Sequence, residues 1–159
     1  LHQIPVSELI GNDTIALGTL IELQVLDQHE PKRTIKPDYD SNDYSLVLHA
    51  DLAGFSLLLT GDCTADAENN LIRSGLLGLA DVLKVAHHGS KYATTTAMLE
   101  QVRPRAAVIS VGPNFYGHPS KDTLQRLSEH DCRVWRTDQQ GAIHLSINKA
   151  GWVLHPACP

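Results

Sequence analysis

Three short motifs hold the side chains able to do chemistry: Thr60-Gly61-Asp62, His87-His88-Gly89-Ser90 and Gly117-His118-Pro119. A carboxylate and three imidazoles offer oxygen and nitrogen donors, a set that suits Zn²⁺ or Mn²⁺ and needs no thiolate. A cation held this way lowers the pKa of bound water and neutralises phosphate charge. Taken singly, each motif has a plainer reading. Asp62 precedes a helical pattern, where an Asp often caps or charges the first turn. Adjacent histidines point different ways along an extended chain, so one of His87 and His88 at most reaches a given ion unless the turn bends them. Gly117 and Pro119 mark a turn whatever His118 does.

Position is what joins the motifs, because each follows an apolar run. Residues 55–60 read as a strand ending at Asp62, residues 80–86 as a strand ending at His87, and residues 105–112 as a strand entering the Asn114–His118 loop. Ligands of α/β sheets bind beyond the carboxyl ends of strands. His87 follows Asp62 by 25 residues, one strand–helix–strand unit, so the two strand ends are expected side by side. The intervening helices are residues 64–77 with Thr64 as N-cap, residues 94–102, and residues 120–130 with Leu124 and Leu127 on one face.

Upstream, residues 14–27 read as two short strands turning near Gly18, and residues 28–43 as a long polar loop with two prolines. Residues 44–49 pair with 55–60 as a hairpin turning over 50–54. "CRVWRT", "AIHLSI" and "GWVLH" close the chain as strands. Alternating strands and helices with short connections imply an α/β (α+β) domain with helices packed on a sheet. No repeat or interdomain linker interrupts it, so residues 1–159 read as one domain.

Composition limits the partners. A chain of 159 residues with 42% hydrophobic and 19% charged residues can bury a core. Proteins that bind duplex DNA through a broad basic face are usually net positive, and this chain carries a formal charge of −5, so any nucleic-acid contact is expected to be local or helped by metal. Cys63, Cys132 and Cys158 form no C-x-x-C, and sequence does not decide whether Cys63 and Cys132 pair. No apolar run is long enough to span a membrane, and residues 1–11 lack the marks of a signal peptide. Of the other histidines, His2, His130 and His155 read as surface or terminal, His49 and His144 as solvent-facing strand positions, and His29 as part of the long loop.

The run "NDYSLVLHADLAGFSLLLTGD", "ADVLKVAHHGSKYAT", "VRPRAAVISVGPNFYGHPSKDTLQRL" and "VWRTDQQGAIHLSI" resembles the C-terminal metallo-β-lactamase-like domain of the ComEC family, the DNA-uptake channel proteins of bacterial natural competence. The likeness runs from about residue 12 to 147. It implies an αββα sandwich and a metal-dependent hydrolase acting on DNA phosphodiesters. Carried over, Asp62 is the carboxylate that bridges metal ions and His87 the metal ligand. His88 and His118 become catalytic groups that protonate the leaving oxygen or stabilise charge. Ser90, Lys91 and Asn114 lie where substrate binds. Asn42 and Ser45 match a family signature at a place where other members put a metal-binding His.

The superfamily's H-x-[HD]-x-D-H motif does not occur here. The chain therefore reads as the C-terminal half of the domain, with the other half preceding Leu1. Alone it is expected to bind Zn or Mn weakly, to be inactive and to expose an apolar sheet face through which copies dimerise or swap. The resemblance places the parent in the inner membrane with this domain on its extracytoplasmic side, with DNA and the rest of the parent as partners. Two alternatives stand beside it. One is a soluble relative hydrolysing another phosphodiester or ester. The other is a degenerate domain that binds DNA or a partner without cleaving.

Overall fold

A computed structural model describes residues 11–26, 41–52 and 54–157. The expected loop at 28–43 falls mostly outside them, as do His2, His29 and Cys158. The first strands, β1 (Thr14–Leu17) and β2 (Ile21–Val25), pair antiparallel around the Gly18 turn. Strands β3 (Leu48–Leu52) and β4 (Phe55–Leu59) form the hairpin, which is shorter than its pattern suggested. β3 starts at Leu48 where strand was expected from residue 44, and Ser41–Tyr44, at the end of the expected loop, form a single 3-10 turn. The turn closes by a bond from Ser45 N–H to the Asn42 carbonyl, and the Ser45 hydroxyl accepts from Asp62 N–H at 3.1 Å. Those commitments take the segment out of the sheet ladder.

From β4 the chain alternates. Helix α1 (Ala65–Ser74) leads to β5 (Val82–Lys84), α2 (Thr96–Val102) to β6 (Ala106–Ile109), and α3 (Lys121–Glu129) to β7 (Arg133–Arg136). Each helix starts on a hydroxyl cap: Thr64 accepts from Ala67 N–H, Thr95 from Met98 N–H and Ser120 from Thr123 N–H. Gly75, left-handed at φ 71°, ends α1. One short helix, α4 (Thr137–Gln140), falls where strand was expected to run directly toward strand, and the hairpin of β8 (Ile143–Asn148) and β9 (Gly151–Pro156) follows it.

β1 to β7 form one seven-stranded sheet in sequential order. The pairs through β4 are antiparallel and those from β4 to β7 parallel. Side chains alternate across it. Leu58, Leu83, Ala107 and Ile109 face the helices, in a core with Leu71, Met98, Leu99 and Leu127. Phe55, Val82, Ala106 and Trp135 face the other way and pack with Leu154 of β9 and Trp152. The parallel strands are thus covered on both faces, which explains their continuous apolar runs. The chain has the expected α/β class: a mixed sheet with helices on one face and a small second sheet on the other. Three parallel strands, β4, β5 and β6, end at one edge.

Candidate functional site

That edge holds all three motifs, and hydrogen bonds tie their turns together. In the first turn, buried Thr60 donates its hydroxyl to the Lys84 carbonyl at 2.7 Å. Gly61, at φ 54°, leaves no room for a side chain, since a Cβ would lie 3.2 Å from Ser45 Cβ. Its carbonyl accepts from Lys84 Nζ at 2.8 Å and from His87 N–H at 3.2 Å. These bonds settle the question about Asp62. Thr64 caps α1, and Asp62 turns its half-exposed carboxylate toward His88 instead.

The second turn is where the chain departs from extended geometry. His87 (φ 46°), His88 (φ 55°) and Gly89 (φ 84°) are all left-handed, a conformation that costs an L-residue roughly 1–2 kcal/mol. Such strain persists where surrounding structure enforces it. Here Gly89 is pressed on the third motif: a Cβ would stand 2.6 Å from Pro119 Cβ, and Ser120 N–H donates to the Gly89 carbonyl at 2.8 Å. The bend brings the adjacent histidines to one side, with ring centroids 6.4 Å apart and His87 5.7 Å from His118.

His88 Nδ1 lies 2.6 Å from the Ser110 carbonyl. A carbonyl only accepts, so Nδ1 carries the proton and Nε2 of the neutral ring keeps its lone pair. Nε2 faces Asp62 Oδ1 at 3.7 Å. Two acceptors then confront each other, and a cation or a proton between them satisfies both. Ligands sharing one tetrahedral zinc at 2.0–2.2 Å bonds lie about 3.4 Å apart, so the gap and the donor types suit such an ion. A carbonyl bonded to the far ring nitrogen is also how metal-binding imidazoles are held. The sequence reading set His87 beside Asp62 as the ligand; it is His88 whose Nε2 stands 3.7 Å from the Asp62 carboxylate. Among the described residues no three His, Cys, Asp or Glu side chains converge closely enough to hold an ion, so further ligands would have to come from elsewhere.

His118 sits half-buried behind this pair, and its Nδ1 is buried without a hydrogen-bond partner. Burial, and then the neighbouring His87 and His88, hold its pKa below the usual histidine value, so the ring favours neutrality. Lys84, unremarked in sequence, reaches the same corner; burial lowers its pKa, and the Asp62 charge opposes that shift. A lysine inside the apolar run "ADVLKVA", just before His87, was the available signal.

The expected substrate residues divide. Ser90 is buried, its hydroxyl accepts from Tyr92 N–H at 3.4 Å, and its carbonyl accepts from Thr123, so its hydroxyl is turned inward. Lys91 is exposed with Nζ 4.7 Å from the Tyr92 ring. Asn114 organises its own loop. It donates to the Gly112 and His118 carbonyls at 2.9 and 2.8 Å and accepts from Tyr116 and His118 N–H groups at 3.1 and 3.0 Å. Sequence also missed Glu68, wholly buried on α1, which accepts from the Thr94 and Thr95 N–H groups and anchors the segment after the double histidine. Arg126 donates to the Ala93 and Thr94 carbonyls of that segment.

Cys63 and Cys132 are free and buried, and burial pushes both thiols up to about 12. Protonated thiols of this kind are poor nucleophiles, which leaves the histidines and Asp62 as the reactive set. His130 Nδ1 donates to the Arg126 carbonyl, His49 contacts the Leu79 carbonyl, and His144 packs on His155, all apart from the motif-bearing turns.

No family model matches the chain. Curated relatives do. ComE operon protein 3 of Bacillus subtilis (strain 168) is 36% identical over 146 residues, 91% of this chain and 19% of that protein. Recombination protein 2 of Haemophilus influenzae is 40% identical over 107 residues, covering 67% of this chain and 13% of its own length. Competence protein ComA of Neisseria gonorrhoeae is 33% identical over 118 residues, 73% of this chain and 17% of that protein. The chain thus spans a fifth or less of the length of these relatives.

Proposed function

The chain is homologous to ComEC-family competence proteins over most of its length, and from that premise we propose that it is part of a metal-dependent phosphodiesterase acting on DNA during natural competence. One observation carries this reading: the Asp62 carboxylate and His88 Nε2 face each other at 3.7 Å, while the far ring nitrogen of His88 is held by the Ser110 carbonyl. Asp62 and His88 hold a divalent cation, Zn or Mn, with remaining ligands from outside the described residues. The chemistry such an ion supplies is activation of water and neutralisation of phosphate charge.

The chain's own residues do the rest. Ser110 fixes the His88 tautomer through its carbonyl. Lys84 and the His87 N–H lock the Gly61 carbonyl and with it the direction of Asp62. His118, whose ring its surroundings keep neutral, would donate its N–H as a hydrogen bond to the charge developing on the leaving oxygen. His87 lies between His88 and His118 and restricts the solvent around both.

Among the described residues no helix is long and apolar enough to cross a membrane. The likeness to competence proteins supports DNA at this edge and the rest of a membrane-bound parent as the proposed partners. Cleavage of labelled DNA by the full-length protein, with Mn²⁺ and with chelator, tests the reading. Asp62→Asn keeps the shape and removes the charge, and should lower metal-dependent cleavage at least a hundredfold. Undiminished cleavage sinks the proposal, and DNA binding with no cleavage in wild type marks a binding module instead.

A further inference from the structure

The most exposed aromatic side chains of the described residues stand at the same edge. Phe115 is 108% exposed, Tyr116 84% and Tyr92 70%, while Phe55 and Trp135 are buried. Three large rings in water beside one site need a reason, because exposed aromatic surface is the kind proteins hide or use.

These rings are presented on a built loop. Asn114 spends both ends of its amide on four bonds that hold residues 112–118. Tyr116 lies nearly parallel to His118, 25° apart with centroids at 6.0 Å. From there the rings continue inward, His118 to His87 at 5.7 Å and His87 to His88 at 6.4 Å. A line of rings, one stacked contact followed by two edge-on ones, thus leads from the loop to the carboxylate of Asp62.

We infer that Phe115 and Tyr116 form a stacking platform for the bases of single-stranded DNA, feeding the strand toward the Asp62–His88 edge. The inference rests on the phosphodiesterase reading and adds to it the strandedness of the substrate. Base faces are available to a protein ring only when the strand is single, and aromatic stacking tolerates any sequence. Residues 112–118 hold no Leu, Ile, Val or Met, so the apolar surface this loop offers is chiefly ring. Charge points the same way. The chain carries −5 overall, and the Lys91 ammonium lies over the Tyr92 ring, 4.7 Å from its centroid. Phosphate attraction is therefore weak here, and stacking has to supply the affinity.

The test uses the full-length protein with divalent cations chelated, so that binding is read without cleavage. A labelled twenty-nucleotide thymidine strand and a hairpin duplex are titrated by fluorescence anisotropy. Phe115→Ala with Tyr116→Ala should weaken the single strand about tenfold or more and leave duplex binding and melting temperature unchanged, while Phe115→Trp keeps wild-type affinity. The salt dependence of the single-strand affinity should be shallow, with a log–log slope of about −2 or flatter. Unchanged single-strand binding by the double variant overturns the inference, as does an equal loss on single strand and duplex. A double variant that instead loses only association with anionic lipid vesicles overturns it in favour of a membrane contact. The two proposals fail separately. Normal strand binding through Phe115 without cleavage removes the nuclease alone, and cleavage with undiminished binding by the double variant removes the platform alone.

Discussion

The two halves of the large sheet are built differently. Strands β4 to β7 run parallel and are covered on both faces, and β4, β5 and β6 end in the three turns that share the candidate site. Strands β1 to β3 run antiparallel. By their register, Ile15, Leu17, Ile21, Leu23 and Leu48 share one face, and Leu17 is 51% exposed. Among the described residues neither hydrophobic cluster draws a member from β1 or β2. The difference teaches where precision is needed. Left-handed histidines and an inward-turned lysine are held only where packing and hydrogen bonds leave no alternative.

If that contrast is right, damage should rank by half. Leu83→Ala, at the centre of the parallel half and fully buried, should cost about 2–5 kcal/mol in urea unfolding. Gly89→Ala places a Cβ against Pro119 at a left-handed position. It should cost about 2–4 kcal/mol and shift the His118 ring resonances in NMR spectra. Glu68→Gln turns an amide N–H₂ toward two backbone N–H donors and should cost about 1–3 kcal/mol.

A pH effect comes next in size. His118 has a folded pKa below its unfolded value of about 6.5. Its contribution is therefore present above pH ~6.5 and lost as pH falls toward the lowered folded pKa, with a slope no steeper than about 1.4 kcal/mol per pH unit. His118→Gln should flatten the urea midpoint in that window, and an unchanged slope would remove the desolvated-histidine account. Smallest of all, Leu17→Ser on the open half should change stability by no more than about 0.5 kcal/mol; a large loss would show that this half is tightly packed after all.

Much of this was legible in the sequence, for identifiable reasons. Local signals survived: Thr64, Thr95 and Ser120 cap helices as their types suggest, and apolar runs became β4, β5 and β6. The convergence of Asp62, His87, His88 and His118 followed from parallel strands sharing an edge. Long-range side-chain bonds did not show. Nothing local says that Ser45 holds Asp62 N–H or that Glu68 reaches Thr94 across 26 residues. Which of His87 and His88 turns toward Asp62 was hidden for the same reason. Extended-chain alternation assumes ordinary φ values, and the Gly89–Pro119 contact forces three left-handed residues in a row.

The central claim is that the parallel half brings Asp62 and His88 together to share a cation. Calorimetric titration of the full-length protein with Zn²⁺, comparing His88→Ala with His87→Ala, tests it most directly. The account predicts that His88→Ala weakens binding at least tenfold while His87→Ala stays near wild type. Loss of binding in His87→Ala with His88→Ala unaffected would contradict it.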